Sequence, residues 1–127
     1  MIIGRASEFL AAYILELSGL RTIHVDLHYD DLWCSHPDDG SLIRVQVKAR
    51  TCATPLVHSN GKLGKKRYAF QTSGGQHYGG VFLFVAQDLG LMLARSWDDV
   101  PPKTYRLAPE DFTHEAQVES IKREFHL

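Results

Sequence analysis

Two alternating runs joined by a tight turn constrain this chain more than any other feature. Asp30-Asp31-Leu32-Trp33 leads through Asp38-Asp39-Gly40-Ser41 into Ile43-Arg44-Val45-Gln46-Val47-Lys48-Ala49-Arg50. Asp-Gly between alternating runs is a strong signal for an antiparallel hairpin. In the second run Ile43, Val45, Val47 and Ala49 take one face, and Arg44, Gln46, Lys48 and Arg50 the other. With an even loop, opposing positions sum to a constant. That arithmetic sets Pro37 opposite Leu42, Trp33 opposite Gln46 and Asp31 opposite Lys48. Leu32 and Cys34 then share the apolar face with Ile43, Val45 and Val47, as a one-sided core requires. Asp31, Gln46 and Lys48 are left together on the opposite face. A slip of one residue would exchange Asp30 for Asp31 and turn Leu32 to the polar side.

A carboxylate, an amide oxygen and an ammonium at one spot have two readings. One is a solvated strand face with an Asp–Lys cross-strand pair, worth a few tenths to about 1 kcal/mol. The other is a divalent-metal site. Oxygen donors from Asp31 and Gln46, with the Val47 carbonyl between them, suit Mg²⁺, which keeps waters and accepts phosphate oxygens. Lys48 beside them would stabilise charge developing on phosphorus or help deprotonate a water.

At these residues the chain resembles the PD-(D/E)xK nuclease superfamily. Gly4-Arg5-Ala6-Ser7-Glu8-Phe9-Leu10 through Leu17-Ser18-Gly19-Leu20 matches its opening helix and stop, Asp31-Leu32 its first acid, and Gln46-Val47-Lys48 its second motif. The match covers roughly residues 4 to 50, and beyond that it is architectural. Glutamine in place of Asp or Glu resembles the QxK variant of intron-encoded and restriction-type members; Holliday-junction resolvases share the core. The resemblance implies a restriction-endonuclease-like α/β fold, an αβββ(α)β core with a mixed central sheet flanked by helices. It further implies a Mg²⁺-dependent DNA endonuclease, with Mn²⁺ as a substitute, in which Asp31, Gln46, Lys48 and Glu8 are catalytic and Asp31, Gln46 and Val47 hold the metal. One site in a small domain cannot easily cut both strands of a duplex, so a homodimer or higher homo-oligomer is expected. The alternative is a nucleic-acid-binding or assembly module that kept the fold without turnover, a role favoured by the uncharged Gln46. An unrelated α/β interaction protein with a chance QxK is the third reading.

The 127 residues suit one domain, large enough for about five strands and flanking helices. A net charge of −1 argues against a purely electrostatic nucleic-acid binder. Cys34 and Cys52, with no signal peptide recognisable, point to a reduced, cytoplasmic protein. No apolar run reaches membrane-spanning length; Val81 to Ala86 is strand-sized.

Residues 5 to 18 predict a helix apolar on most of its surface (Phe9, Leu10, Ala11, Ala12, Tyr13, Ile14, Leu15 and Leu17), hence buried against a sheet, with Gly19 as its stop. Glu8 in the first turn has an ordinary use, meeting the helix dipole or pairing with Arg5. Leu20 to Leu27 reads as a strand with Ile23 and Val25 alternating against His24 and Asp26. A zinc site drawn from His24, His28, Cys34, His36, Cys52 and His58 fits no common ligand spacing.

Thr51 to Lys66 shows no periodicity and predicts a long loop. It ends in Lys62, Lys65, Lys66 and Arg67. These, with Arg50, are candidates for phosphate-backbone contact, against the commoner fate of a solvated charge run. Thr72 to Gly80 is glycine-rich without a nucleotide-binding spacing; Gln76 or His77 is a candidate substrate contact. The second helix common in the superfamily core is not evident there. Val81-Phe82-Leu83-Phe84-Val85-Ala86 predicts a strand buried on both faces, with Leu91 to Ser96 as its hairpin partner. Pro101 and Pro102 break regular structure, Thr104 to Leu107 suits a short edge strand, and Thr113 caps a closing helix with Val118, Ile121 and Phe125 on one stripe.

Overall fold

The computed structural model describes residues 3–25, 27–74 and 78–127; Asp26, Gln76 and His77 lie outside the described residues. The elements in order are α1 (Ile3–Leu17), β1 (Arg21–His24), β2 (Leu32–Ser35), β3 (Leu42–Arg50), β4 (Thr54–Val57), β5 (Leu63–Gln71), β6 (Val81–Ala86), β7 (Leu91–Ser96), β8 (Thr104–Leu107) and α2 (His114–Phe125). One sheet has the order β1-β2-β3-β6-β7, mixed because β3 and β6 run parallel while the other neighbours are antiparallel. A second, antiparallel sheet has the order β4-β5-β8.

Alternation divides the core in two. From β3, Val45, with the partly buried Ile43, Val47 and Ala49, meets Leu32, Cys34, Leu83, Val85 and the inner faces of α1 and α2. The intervening residues of β6, Phe82 and Phe84, point the other way and stack with Tyr68, Phe70, Tyr78, Leu93 and Phe112 under the second sheet. All six residues of β6 are buried, because this strand is covered by helices on one side and aromatic rings on the other. The mixed α/β architecture flanked by helices is the one expected. The crossover from β3 to β6 is made by the β4–β5 hairpin and the segment after it.

Four local features differ from the sequence reading. Thr51 to Lys66 is an ordered hairpin rather than a loop: β4 and β5 pair from Thr54↔Arg67 to Val57↔Leu63, with a bulge between Pro55 and Val57. The bulge and Pro55 interrupt the period-two signal by which strands are recognised. The first strand covers only Arg21–His24, shorter than Leu20 to Leu27. Helix α1 is not buried all round, since Phe9, Tyr13 and Leu17 are 55%, 63% and 71% exposed. It has the sheet on one side and no second layer on the other.

The fourth difference is the register of β2 against β3. Trp33 pairs with Arg44 and Ser35 with Leu42, two residues offset from the expected Trp33–Gln46 pairing. The turn explains the offset. Gly40, at φ +69°, closes the loop by donating its N–H to the His36 carbonyl, and the His36 amide donates to Ser41 O, both at 2.9 Å. The Asp39 carboxylate accepts the Ser41 N–H at 2.9 Å. The left-handed residue must lie inside the loop, so Ser41 becomes the first paired residue. An even offset keeps every side chain on its expected face. Leu32 and Cys34 therefore still face the core, at 0% and 1% exposure.

At the far edge, α2 begins at Thr113, whose hydroxyl accepts the Ala116 N–H at 3.0 Å. Gln117 Oε1 accepts the Met92 N–H at 2.9 Å and Ser120 Oγ the Ala94 N–H at 3.0 Å. Two buried polar side chains of α2 thus saturate the outer edge of β7, which would otherwise be open to pairing with another chain.

Candidate active site

The position of Asp31 follows from its neighbours on the chain. Its N–H donates to Val45 O at 2.9 Å, and its carbonyl accepts the Val25 N–H at 3.1 Å. Asp31 lies one residue outside the regular ladder, which ends at the Leu32↔Val45 pair, and its amide is tied to Val45 rather than set opposite Lys48. Asp31 precedes the first residue of β2, and its side chain reaches across to the backbone of β3. There its Oδ2 accepts the Val47 N–H at 2.7 Å. Regular pairing of β2 with β3 ends at Val45, and the carboxylate supplies the acceptor that the next inward-facing amide lacks. In an extended strand a residue's C=O faces the same edge as its N–H, which turns the Val47 carbonyl to the edge where Asp31 sits.

Burial raises the carboxyl pKa of Asp31, partly opposed by the Val47 hydrogen bond and the Lys48 charge. Gln46 and Lys48 lie two residues apart on one face of β3, both half-buried. The Asp31 carboxylate meets this strand at the Val47 amide.

The adjacent carboxylate has a different job. Asp30 is 4% exposed and accepts from Trp33 Nε1 at 2.8 Å, Arg44 Nε at 2.9 Å and Tyr78 OH at 2.6 Å. Burial pushes its pKa up, but hydrogen bonds from Arg44, Tyr78 and Trp33 outweigh burial and hold it below the usual carboxylate range. The Arg44 guanidinium also lies 5.0 Å from the centroid of the Tyr78 ring. Asp30 ties β2, β3 and the segment before β6 together, and its three donors leave it little capacity for a ligand. This knot was not foreseen from sequence, because Tyr78 reaches it from a remote segment.

Glu8 is half-buried on α1, in the helix half that lies toward the C-terminal end of β3. Neighbouring Ser7 donates to Gln87, whose N–H in turn donates to Arg50 O at 2.9 Å. His24, which pairs with Leu32 beside Asp31, packs its ring 4.5 Å from that of Phe9 and has a buried Nε2 without a hydrogen-bond partner. His36 Nε2 bonds the His126 carbonyl at 2.9 Å. Among the described residues no group of three His, Cys, Asp or Glu side chains stands within reach of one metal ion. The donors expected with Asp31 are instead one carboxylate, the Gln46 amide oxygen and the Val47 peptide carbonyl. Such hard oxygen ligands fit Mg²⁺, at the low-charge end of its sites.

Arg50, Lys62, Lys65, Lys66 and Arg67 do not gather at this edge. Arg50 ends β3, Lys62 sits in the β4–β5 turn, and Lys65 and Lys66 are exposed on β5. Arg67 is half-buried and donates from Nη1 to Lys66 O at 2.8 Å. They form a cationic extension joined to the candidate site through the end of β3.

A five-stranded mixed sheet with both helices on one face and a small antiparallel sheet on the other defines a mixed α/β fold. Among solved structures, the bacterial homing endonuclease I-Ssp6803I is similar to this chain at a TM-score of 0.57 and 18% identity, over 83% of this chain and 72% of that one. No protein-family model matches the chain, and no curated protein matches it. No helix among the described residues is long and apolar enough to cross a membrane.

Proposed function

We propose that this chain is a metal-dependent DNA endonuclease of the PD-(D/E)xK type, in its QxK form, and that residues 1–127 act as a single nuclease-like domain. The observation that carries the reading is the Asp31 Oδ2···H–N Val47 contact of 2.7 Å, which fixes an acid over the Gln46-Val47-Lys48 strand. Asp31, Gln46 and the Val47 carbonyl would hold Mg²⁺, or Mn²⁺ in its place. A bound divalent ion would polarise the phosphodiester and lower the pKa of a bound water. The chain's own residues supply the rest. Lys48 orients the attacking water and stabilises negative charge on the phosphate as it forms. Glu8, on the adjoining helix, assists. Arg50 and the lysines of β5 contact the phosphate backbone. The likeness to a homing endonuclease supports a DNA substrate, and the single site per chain supports a homodimer or higher homo-oligomer for double-strand cleavage. Free Cys34 and Cys52 fit a reducing, cytoplasmic setting.

One observation favours the second reading, a binding module without turnover. The donor set carries a single carboxylate, and burial already disfavours its charged form. Plasmid nicking separates the two. Incubation with Mg²⁺ or Mn²⁺ should nick the plasmid, while chelation, Asp31→Ala and Lys48→Ala should each abolish nicking. Retention of DNA without nicking by the wild type supports the binding module.

A further inference from the structure

Charge on this chain is segregated in a way its net value hides. Between residues 40 and 87 there are seven Lys and Arg and no Asp or Glu; all 15 acids lie outside that stretch. Three of the cations, Arg44, Lys48 and Arg50, stand on the candidate face of β3, and the other four, Lys62, Lys65, Lys66 and Arg67, on the β4–β5 hairpin. The hairpin begins only a few residues after Arg50; the C-terminal half of β5 packs on β8 and the aromatic core, while β4 and the start of β5 pair with each other.

Its tip is well built although it projects. His58 N–H donates to Lys62 O and Gly61 N–H to His58 O, both at 2.9 Å, and Asn60 Oδ1 accepts the Lys62 N–H at 3.0 Å. Gly61 takes φ +80°, which the tight turn requires. The bulge beside Leu56 adds twist to the ribbon. Alongside the exposed lysines, Leu56, Val57 and Leu63 are 42%, 65% and 67% exposed, although nothing in the fold calls for apolar side chains there.

We infer that the β4–β5 hairpin is a reading ribbon that enters the major groove of duplex DNA, next to the strand presented to Asp31, Gln46 and Lys48. The inference rests on the proposed site for where the cut falls, and on the hairpin alone for how the duplex is held. A B-form major groove about 12 Å wide admits a two-stranded ribbon, whereas a minor groove about 6 Å wide does not. The deep, narrow major groove of A-form RNA excludes it as well, which selects DNA over duplex RNA. Lys62, Lys65 and Lys66 contact phosphates flanking the groove. Leu56, Val57 and Leu63 meet base edges, where thymine methyl groups offer apolar contact.

The test is binding of the wild-type chain, in EDTA so that no cleavage intervenes, to random-sequence DNA duplexes about 30 base pairs long across a salt series. Glucosylated 5-hydroxymethylcytosine in the duplex, which fills the major groove, should weaken binding at least about tenfold, close to the effect of removing a hot-spot side chain. Netropsin in the minor groove and a duplex RNA competitor should each change it little. The triple variant Lys62→Ala, Lys65→Ala, Lys66→Ala should lower the slope of log K against log salt by about 0.9 for every phosphate that the three lysines no longer neutralise. Leu56→Ser with Leu63→Ser should keep that slope and flatten sequence preference. Because all these positions are exposed, circular dichroism should show an intact fold. Binding indifferent to glucosylation, or an unchanged salt slope in the triple variant, overturns the inference. So does conversion of an oligomer to a monomer by the apolar variant, which would make the tip a self-association surface. Nicking assays on the same proteins keep the two claims apart. Groove binding without nicking removes the catalytic reading alone, and nicking at full rate by the triple variant removes the ribbon alone.

Discussion

The chain contains two neighbouring hairpins, β2–β3 and β4–β5, that put similar backbone geometry to opposite uses. In β2–β3, Leu32, Cys34 and Val45 are sealed in the core, so the polar side chains on the other face stand on a rigid support. Asp31 is fixed to the Val47 amide and Asp30 to three donors. In β4–β5 the apolar side chains at the tip face solvent, and the cations beside them are free to move on long stems. Chemistry at a scissile bond needs groups held in place, and a buried hairpin supplies that. Attraction to a polyanion acts through space and tolerates mobile charges. The difference lies in which face is buried, not in the strands themselves.

The largest contrast should appear in the two thiols. Cys34, in the buried hairpin, has its pKa pushed up to about 12 by burial, with a smaller contribution from Glu16. Cys52 is exposed at the foot of the other hairpin. An alkylating reagent at pH 8 should modify Cys52 promptly and Cys34 only after denaturation, a rate ratio of about 10³ or more. Comparable rates, read by mass spectrometry, would mean the β2–β3 hairpin opens readily. Next in size is activity: Lys48→Ala should reduce plasmid nicking by about 10²–10³, while Lys65→Ala changes the rate by less than about tenfold. Equal losses would erase the proposed division between chemistry and attraction. In urea unfolding, Leu32→Ala should cost about 2–5 kcal/mol, and Asp30→Asn, which loses acceptors for Arg44, Tyr78 and Trp33, about 1–3 kcal/mol. Smallest of all, Leu56→Ala at the exposed tip should stay within about 0.5 kcal/mol. A larger effect there would show that the second hairpin is packed against something in solution.

Much of the candidate site was legible because side-chain parity in a strand is a local property. The alternation from Ile43 to Arg50 fixes which groups share a face, and a two-residue error in register leaves that assignment intact. The choice of Asp31 over Asp30 rested on parity, since Leu32 had to reach the core, yet it is Asp30 that bonds the Arg44 side chain. The buried strand β6 and the Thr113 cap were readable for similarly local reasons. The β4–β5 hairpin was not, because Pro55 and a bulge blur its period, and pairing of strands across a bulge depends on both partners at once.

The amino-acid sequence by itself determined the helix and the strand faces, with Gln46 and Lys48 on one of them. Only the tertiary structure decided that Asp31 reaches the Val47 amide, that Tyr78 returns from a distant segment to hold Asp30, and that Gln117 and Ser120 close the edge of β7. Faces follow from covalent alternation along one strand. Register, remote hydrogen bonds and edge closure follow from where separate segments meet, and that is settled only when the whole core packs.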